Sequence, residues 1–172
     1  MVAWQQGDAA AFDQLVERYH RRLNGYLRRT CPTQEAADDA YGETLLRLVD
    51  RRDQYDPSRP FRPWLYTLAH HAGVGAARKR SRRRGLLERF HLRPAGPPTP
   101  HDDLEQSRTR SALDAALDRL PPLHRSILIL TYKEDLNGPE VAEALGISPR
   151  EVRDKLAYGR KKLREILTEG EA

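Results

Sequence analysis

The chain has 172 residues, 38% hydrophobic and 32% charged, and a formal net charge of +5 from 30 basic and 25 acidic side chains. That length suits one ordinary domain or two small ones, and the basic excess favours a polyanionic partner. A lone cysteine, Cys31, excludes an internal disulfide or cysteine-rich zinc site, the six histidines show no ligand spacing, and no apolar run is long enough to span a bilayer.

Neither a metal nor a cofactor is therefore expected, and no membrane insertion. The opening M-V-A-W-Q-Q-G-D has neither the charged head nor the apolar stretch of a secretory signal, which points to a cytoplasmic protein. No phosphate-binding glycine loop, nucleophile elbow or paired-carboxylate site is present, so the chain does not read as an enzyme.

From Asp8 onward Phe12, Leu15, Val16, Tyr19, Leu23, Tyr26 and Leu27 recur at spacings of three and four, which predicts an amphipathic helix broken at Cys31-Pro32. Thr33 is placed to cap a second helix with Ala37, Ala40, Tyr41, Thr44, Leu45, Leu48 and Val49 inward. Its outer face carries Asp38, Asp39, Gly42, Glu43, Leu46 and Arg47; a leucine among acids is what a protein-docking surface looks like. The proline-punctuated Q-Y-D-P-S-R-P-F-R-P-W is a loop, in which Phe61 is the freest aromatic. A third helix follows on Trp64, Leu65, Leu68, Ala69, Ala72 and Ala76, running into the basic block Arg78 to Arg84.

The apolar pattern dissolves after Gly85 into proline- and glycine-rich sequence, which divides the chain into a domain over 1–84, a flexible linker over 85–107 with one short helix near Leu87, and a domain over 108–172. Helices then form on Leu113, Ala116, Leu117 and Leu120 and, past an L-P-P corner, on Leu123, Ile127, Leu128, Leu130 and Thr131. No strand alternation persists, so the fold class is all α, with two small helical domains.

The run from Leu136 to Lys162 spells two short helices joined by a tight turn. Asn137 with Glu140, and Ser148 with Glu151, form S/T/N-x-x-E capping boxes, Pro149 opens the second helix, and Gly146 allows the left-handed conformation or a close approach at the turn. Val141, Ala142, Leu145, Ile147, Val152 and Leu156 make a miniature core. This is a helix-turn-helix whose second member offers Arg150, Arg153, Lys155, Arg160, Lys161 and Lys162 to phosphates and base edges of DNA. The block Arg78, Lys79, Arg80 and beyond would neutralise further phosphates without reading sequence.

Four segments, in order, resemble bacterial sigma factors of the extracytoplasmic-function class: D-A-A-A-F-D-Q-L-V-E-R-Y, A-A-D-D-A-Y-G-E-T-L-L-R-L, Y-D-P-S-R-P-F-R-P-W-L-Y-T-L-A, and L-D-R-L-P-P-L-H-R-S-I-L-I-L with the helix-turn-helix. The resemblance implies a non-catalytic subunit that binds core RNA polymerase and directs it to promoter DNA, and it makes an anti-sigma factor a natural further partner. It implies that Asp38, Asp39, Glu43, Thr44, Leu46 and Arg47 face the polymerase and that Tyr55, Phe61, Arg62 and Trp64 lie near melting DNA at the minus-ten element. Ser148, Arg150, Glu151, Arg153, Lys155, Arg160 and Lys161 would address the minus-thirty-five element. Aromatic faces can hold extruded bases at about 1 to 3 kcal/mol each, although Trp64, on the apolar stripe, equally suits core packing.

Departures from the family's pattern stand at Gly42, His70, His71, Gly73, Gly75 and Asp154. The adjacent histidines point in different directions on a helix and read as solvated or DNA-facing rather than as a metal pair. Two other functions fit the same residues: a free-standing helix-turn-helix regulator, and a sigma-like protein that binds polymerase without melting DNA.

Overall fold

The computed structural model describes residues 1–89 and 112–169, residues 83–89 by their backbone. Regular structure among the described residues is helical throughout: α1 (Val2–Gln5), α2 (Ala9–Thr30), α3 (Gln34–Asp50), a 3₁₀ turn (Arg52–Gln54), α4 (Phe61–Arg89), α5 (Ala112–Asp118), α6 (Pro122–Tyr132), α7 (Gly138–Leu145) and α8 (Pro149–Glu169).

Local chemistry sets most of these boundaries. Asp8 accepts from the Ala11 amide at the start of α2, and Thr33 Oγ1 accepts from the Ala36 amide at the start of α3. Both bonds of the Asn137–Glu140 box form at α7, which then ends on Gly146 in the left-handed region at φ 65°. Ser148 and Glu151 exchange backbone bonds of 3.0 and 3.2 Å before α8. Helix α4 continues through Gly85 to Arg89, so the sequence expected to open the linker is still helical; the remainder of that stretch lies outside the described residues.

The N-terminal half is an α2–α3–α4 bundle. The short α1, which the sequence pattern did not reveal, drops Trp4 against Leu48, Leu68 and Phe12. Gln5 Nε2 donates to the Arg52 and Tyr55 carbonyls at 2.9 and 2.8 Å, pinning the turn after α3. Gly73 marks a close approach, because a Cβ there would lie 3.3 Å from Cys31 Sγ. In the C-terminal half α5, α6 and α8 share a small core of Ala116, Leu117, Leu120, Leu128 and Ile166.

The two halves do not stand apart. One continuous apolar cluster joins Leu23, Tyr26, Leu27, Leu65, Tyr66 and Ala69 of the N-terminal half to Ile127, Leu130, Val141, Ala144 and Leu145 of the other. Helix α7 lies directly on α4, and α6 on α2. Each buried leucine or isoleucine here contributes about 1.5 to 3 kcal/mol of transfer free energy, so the halves stabilise one another.

Candidate functional site

On α3 most of the side chains assigned from the sequence to the outer face are exposed, with exceptions. Asp38, Asp39 and Glu43 are exposed, and Leu46 stands 62% exposed among them. Arg47 is half-buried and folds back on Glu43 at 2.8 Å, while Gln34 donates to Asp38 at 2.7 Å. Thr44 is fully buried and donates to the Ala40 carbonyl at 2.6 Å, so it turns away from this face. Val49, expected inward, is instead 49% exposed and extends the apolar part of the surface beside Leu46. A helical wheel places both within the i, i+3 spacing that makes neighbours on one face.

The proposed melting residues are brought together as an aromatic cluster, with Tyr55 buried and Phe61, Arg62 and Trp64 half-buried. Tyr55 is buried, its hydroxyl donating to the Arg59 carbonyl at 2.6 Å. Phe61, expected to be free in a loop, is the first residue of α4 and packs edge-on to Tyr19 and Tyr55, with ring centroids 5.3 and 5.7 Å away. Trp64 tilts against Tyr55 at 5.1 Å. Arg62 donates 2.9 Å to the backbone carbonyl of Glu134, in the opposite half.

His70 is half-buried with Nδ1 3.5 Å from the Tyr26 hydroxyl, and burial, then the neighbouring His71, lowers its pKa. It therefore packs against the N-terminal half instead of standing in solvent, one of the two placements expected of it, whereas His71 is exposed. Burial also pushes the Cys31 thiol up to about 11, which leaves it unreactive. No group of three or more potential metal ligands occurs among the described residues. Nor is any helix among them long and apolar enough to cross a membrane.

The basic surfaces divide. Arg78 and Lys79 are exposed, but Arg80 turns back to Thr33 Oγ1 at 2.8 Å on the start of α3. On α8 Arg150, Arg153, Arg160 and Lys161 are exposed and Lys155 is half-buried. Val152, Gly159 and Ile166 fix the opposite side of the helix inward, and a Cβ on Gly159 would lie 3.4 Å from Leu128. Asp154 sits 3.9 Å from both Arg150 and Arg153, exposed pairings that contribute little. Ser148 and Glu151 are occupied by each other; hydrogen bonds from the Ser148 backbone and then its side chain hold the Glu151 carboxyl below its usual range.

The structure also holds a groove the sequence did not announce, about 770 Å³, between Arg29, α5, α6 and the end of α8. Leu113, Leu117, Leu128, Leu163 and Leu167 line it, with Lys133, Arg160 and Arg164 at its edge.

Sequence comparison matches residues 15–83 to Sigma-70 region 2 and residues 110–163 to Sigma-70, region 4. The chain is 33% identical over 169 residues to the RNA polymerase sigma factor CarQ of Myxococcus xanthus, covering 98% of this chain and 96% of that one. It is 32% identical to the ECF RNA polymerase sigma factor SigE of Mycolicibacterium smegmatis, over 94% of this chain and 64% of the relative. Among solved structures, CnrH in complex with the cytosolic domain of CnrY superposes with a TM-score of 0.70 at 26% identity, covering 96% of this chain and 92% of that one.

Proposed function

The chain belongs to the RNA polymerase sigma factors of the extracytoplasmic-function class, and on that footing we propose how its surfaces divide the work of starting transcription. A sigma factor binds core RNA polymerase and directs it to promoter DNA. Sigma factors are generally non-enzymatic, and this chain is read as acting by binding alone, in the cytoplasm, without metal or cofactor.

The observation that carries the assignment of surfaces is that two exposed faces of opposite character lie on rigid helices. On α3, Asp38, Asp39, Glu43 and Leu46, joined by Val49, form an acidic face with an apolar centre, suited to a basic and apolar patch on the polymerase. On α8, Arg150, Arg153, Arg160 and Lys161 form a cationic face that lies along promoter phosphates and reads bases through its N-terminal residues. Arg78 and Lys79 add phosphate contacts from α4.

Residues 1–84 then serve docking and melting, 85–107 connect, and 108–172 read the minus-thirty-five element. Melting falls to Tyr55, Phe61, Arg62 and Trp64, whose rings would exchange contacts with one another for contacts with unstacked bases. An anti-sigma protein would cover the α3 face, and the groove's apolar floor and cationic edge suit an acidic amphipathic helix from such a partner.

Run-off transcription with purified core polymerase and genomic promoter fragments is the test. A specific transcript supports the assignment. Core binding without transcript would make the chain a sigma-like regulator, and operator binding without core a stand-alone helix-turn-helix regulator.

A further inference from the structure

One acidic side chain on the cationic face of α8 is left over from every structural role. Helix α8 carries four carboxylates, those of Glu151, Asp154, Glu165 and Glu169. Glu151 is bound by Ser148, Glu165 accepts from Lys162 at 3.1 Å, and Glu169 accepts from Arg119 at 3.1 Å. Asp154 accepts no hydrogen bond from any described residue. Its two oxygens stand 3.9 Å from Arg150 Nε and Arg153 Nε, beyond hydrogen-bonding reach, and its side chain is 64% exposed.

Its place on the helix is central. Arg150, Asp154, Ala157 and Lys161 follow one another at helical spacing along a single stripe, and all four are exposed. Val152, Gly159 and Ile166 are buried on the other side, where α8 packs on its neighbours. In a helix laid into a major groove, the stripe opposite the packed side reaches deepest. Ala157, with a single methyl, lets the helix come close there. Ser148 and Glu151 hold each other, so the reading end of α8 falls to Arg150, Arg153 and Asp154.

A carboxylate in this position opposes DNA binding in general. It repels the phosphates that Arg150, Arg153, Arg160 and Lys161 attract, and its exposed ion pairs stabilise the fold little. At the base edges it meets mostly acceptors: guanine offers O6 and N7, thymine O4, and adenine sets N7 beside its N6 donor. Cytosine alone presents a donor, N4, with no acceptor of its own beside it on that edge. The guanine paired with it offers O6 and N7 to a guanidinium. One carboxylate with an arginine at each oxygen matches that edge, supplying the acceptor for cytosine and donors for guanine.

Resting on the assignment of α8 to promoter DNA, we infer that Asp154 is a base-selecting residue: with Arg150 and Arg153 it demands a cytosine–guanine pair in the minus-thirty-five element and rejects other bases at that position. The rejection comes from a charge left without a donor against the wrong base edge. Asp154 thus supplies discrimination more than affinity, because it weakens contact with every other sequence and the cytosine amino group restores what is lost.

The test is selection of transcribed templates from a promoter library randomised across the minus-thirty-five element, using core polymerase with the full parent chain, Asp154→Ala or Asp154→Asn. Both substitutions fall on an exposed side chain that the fold does not use. The parent should favour cytosine at one position by about tenfold. Asp154→Ala should lose that preference and use the non-cytosine templates better than the parent does. Asp154→Asn should move the preference to adenine, whose N6 and N7 an amide meets with an acceptor and a donor. A parent that transcribes without preferring cytosine at any position, or variants that keep the parent's preferences and differ only by a uniform factor, would overturn the inference and leave the sigma assignment standing. If the parent does not bind core, that assignment falls, and selection of the same randomised duplex by the full chain alone at low salt decides the role of Asp154. Cytosine chosen by the parent and lost in Asp154→Ala supports it; the same sequences, or none, chosen by both overturn it.

Discussion

Two stretches of this chain are assigned to DNA, and the structure treats them oppositely. Helix α8, proposed to read DNA, turns Arg150, Arg153, Arg160 and Lys161 to solvent, whereas at the start of α4 Tyr55 is buried, Phe61 and Trp64 lean on it, and Arg62 is tied to Glu134. The first surface needs only a helix with one side packed, which Val152, Gly159 and Ile166 supply locally. The second depends on what the remainder of the molecule does, because aromatic rings left without bases satisfy themselves against each other, while Arg62 is held by the opposing half. A site that reads an intact duplex can be preformed; one that grips single strands is stored packed until its ligand exists.

That contrast is most severely tested by the core the halves share. Leu130→Ala, at 0% exposure in the joint cluster, should cost about 2 to 5 kcal/mol and lower a single thermal transition. Two resolved transitions, with only one moved, would mean that the halves are energetically separate. Next, Asp39→Arg with Leu46→Glu should weaken core binding by about 2 to 4 kcal/mol with an unaltered circular dichroism spectrum, since both side chains are exposed. Unchanged affinity would remove the docking role from α3.

Arg153→Ala should cost about 1 to 3 kcal/mol of promoter affinity and relax preference at one base position if it reads a base edge. Arg160→Ala should instead lower the magnitude of the log-log salt slope by about 0.9 without altering preference. Were the two indistinguishable, α8 would be a cationic surface without a reading end. Asn137→Ala removes the cap of α7 and should cost about 1 kcal/mol, measured by chemical denaturation.

The smallest effect concerns acid. Because the folded pKa of Glu151 lies below the ordinary value of 4.5, its capping bonds contribute stability that is fully present above that value and lost as pH falls through the folded pKa. Glu151→Gln should flatten that part of the stability profile, measured by denaturation from pH 6 downward. A variant with the parent's acid dependence would assign the loss to other carboxyls.

Three helix starts were legible because capping acts between residues three apart: Thr33 with Ala36, Asn137 with Glu140 and Ser148 with Glu151. So was the helix-turn-helix, whose core, turn glycine and charged face fall within one short window. Period alone was less reliable at the edges of a stripe. Val49 came out exposed, and Thr44, assigned both to the inner stripe and to the docking face, is buried. Trp4 was a signal for α1 that went unused, since a tryptophan so near the start needs something to pack on.

From residues alone came the helical class, the positions of most of the helices and the charge of each outward face, for these depend on propensity, caps and spacing over a few positions. Tertiary packing alone decided that α7 covers α4, that His70 is withdrawn beneath Tyr26, that the melting aromatics lie against one another and that Glu134 meets Tyr66 in the interior. Contacts between residues tens of positions apart leave no periodic trace, because many partners of equal polarity or bulk would satisfy the same local pattern. Which one is met depends on how two finished surfaces fit.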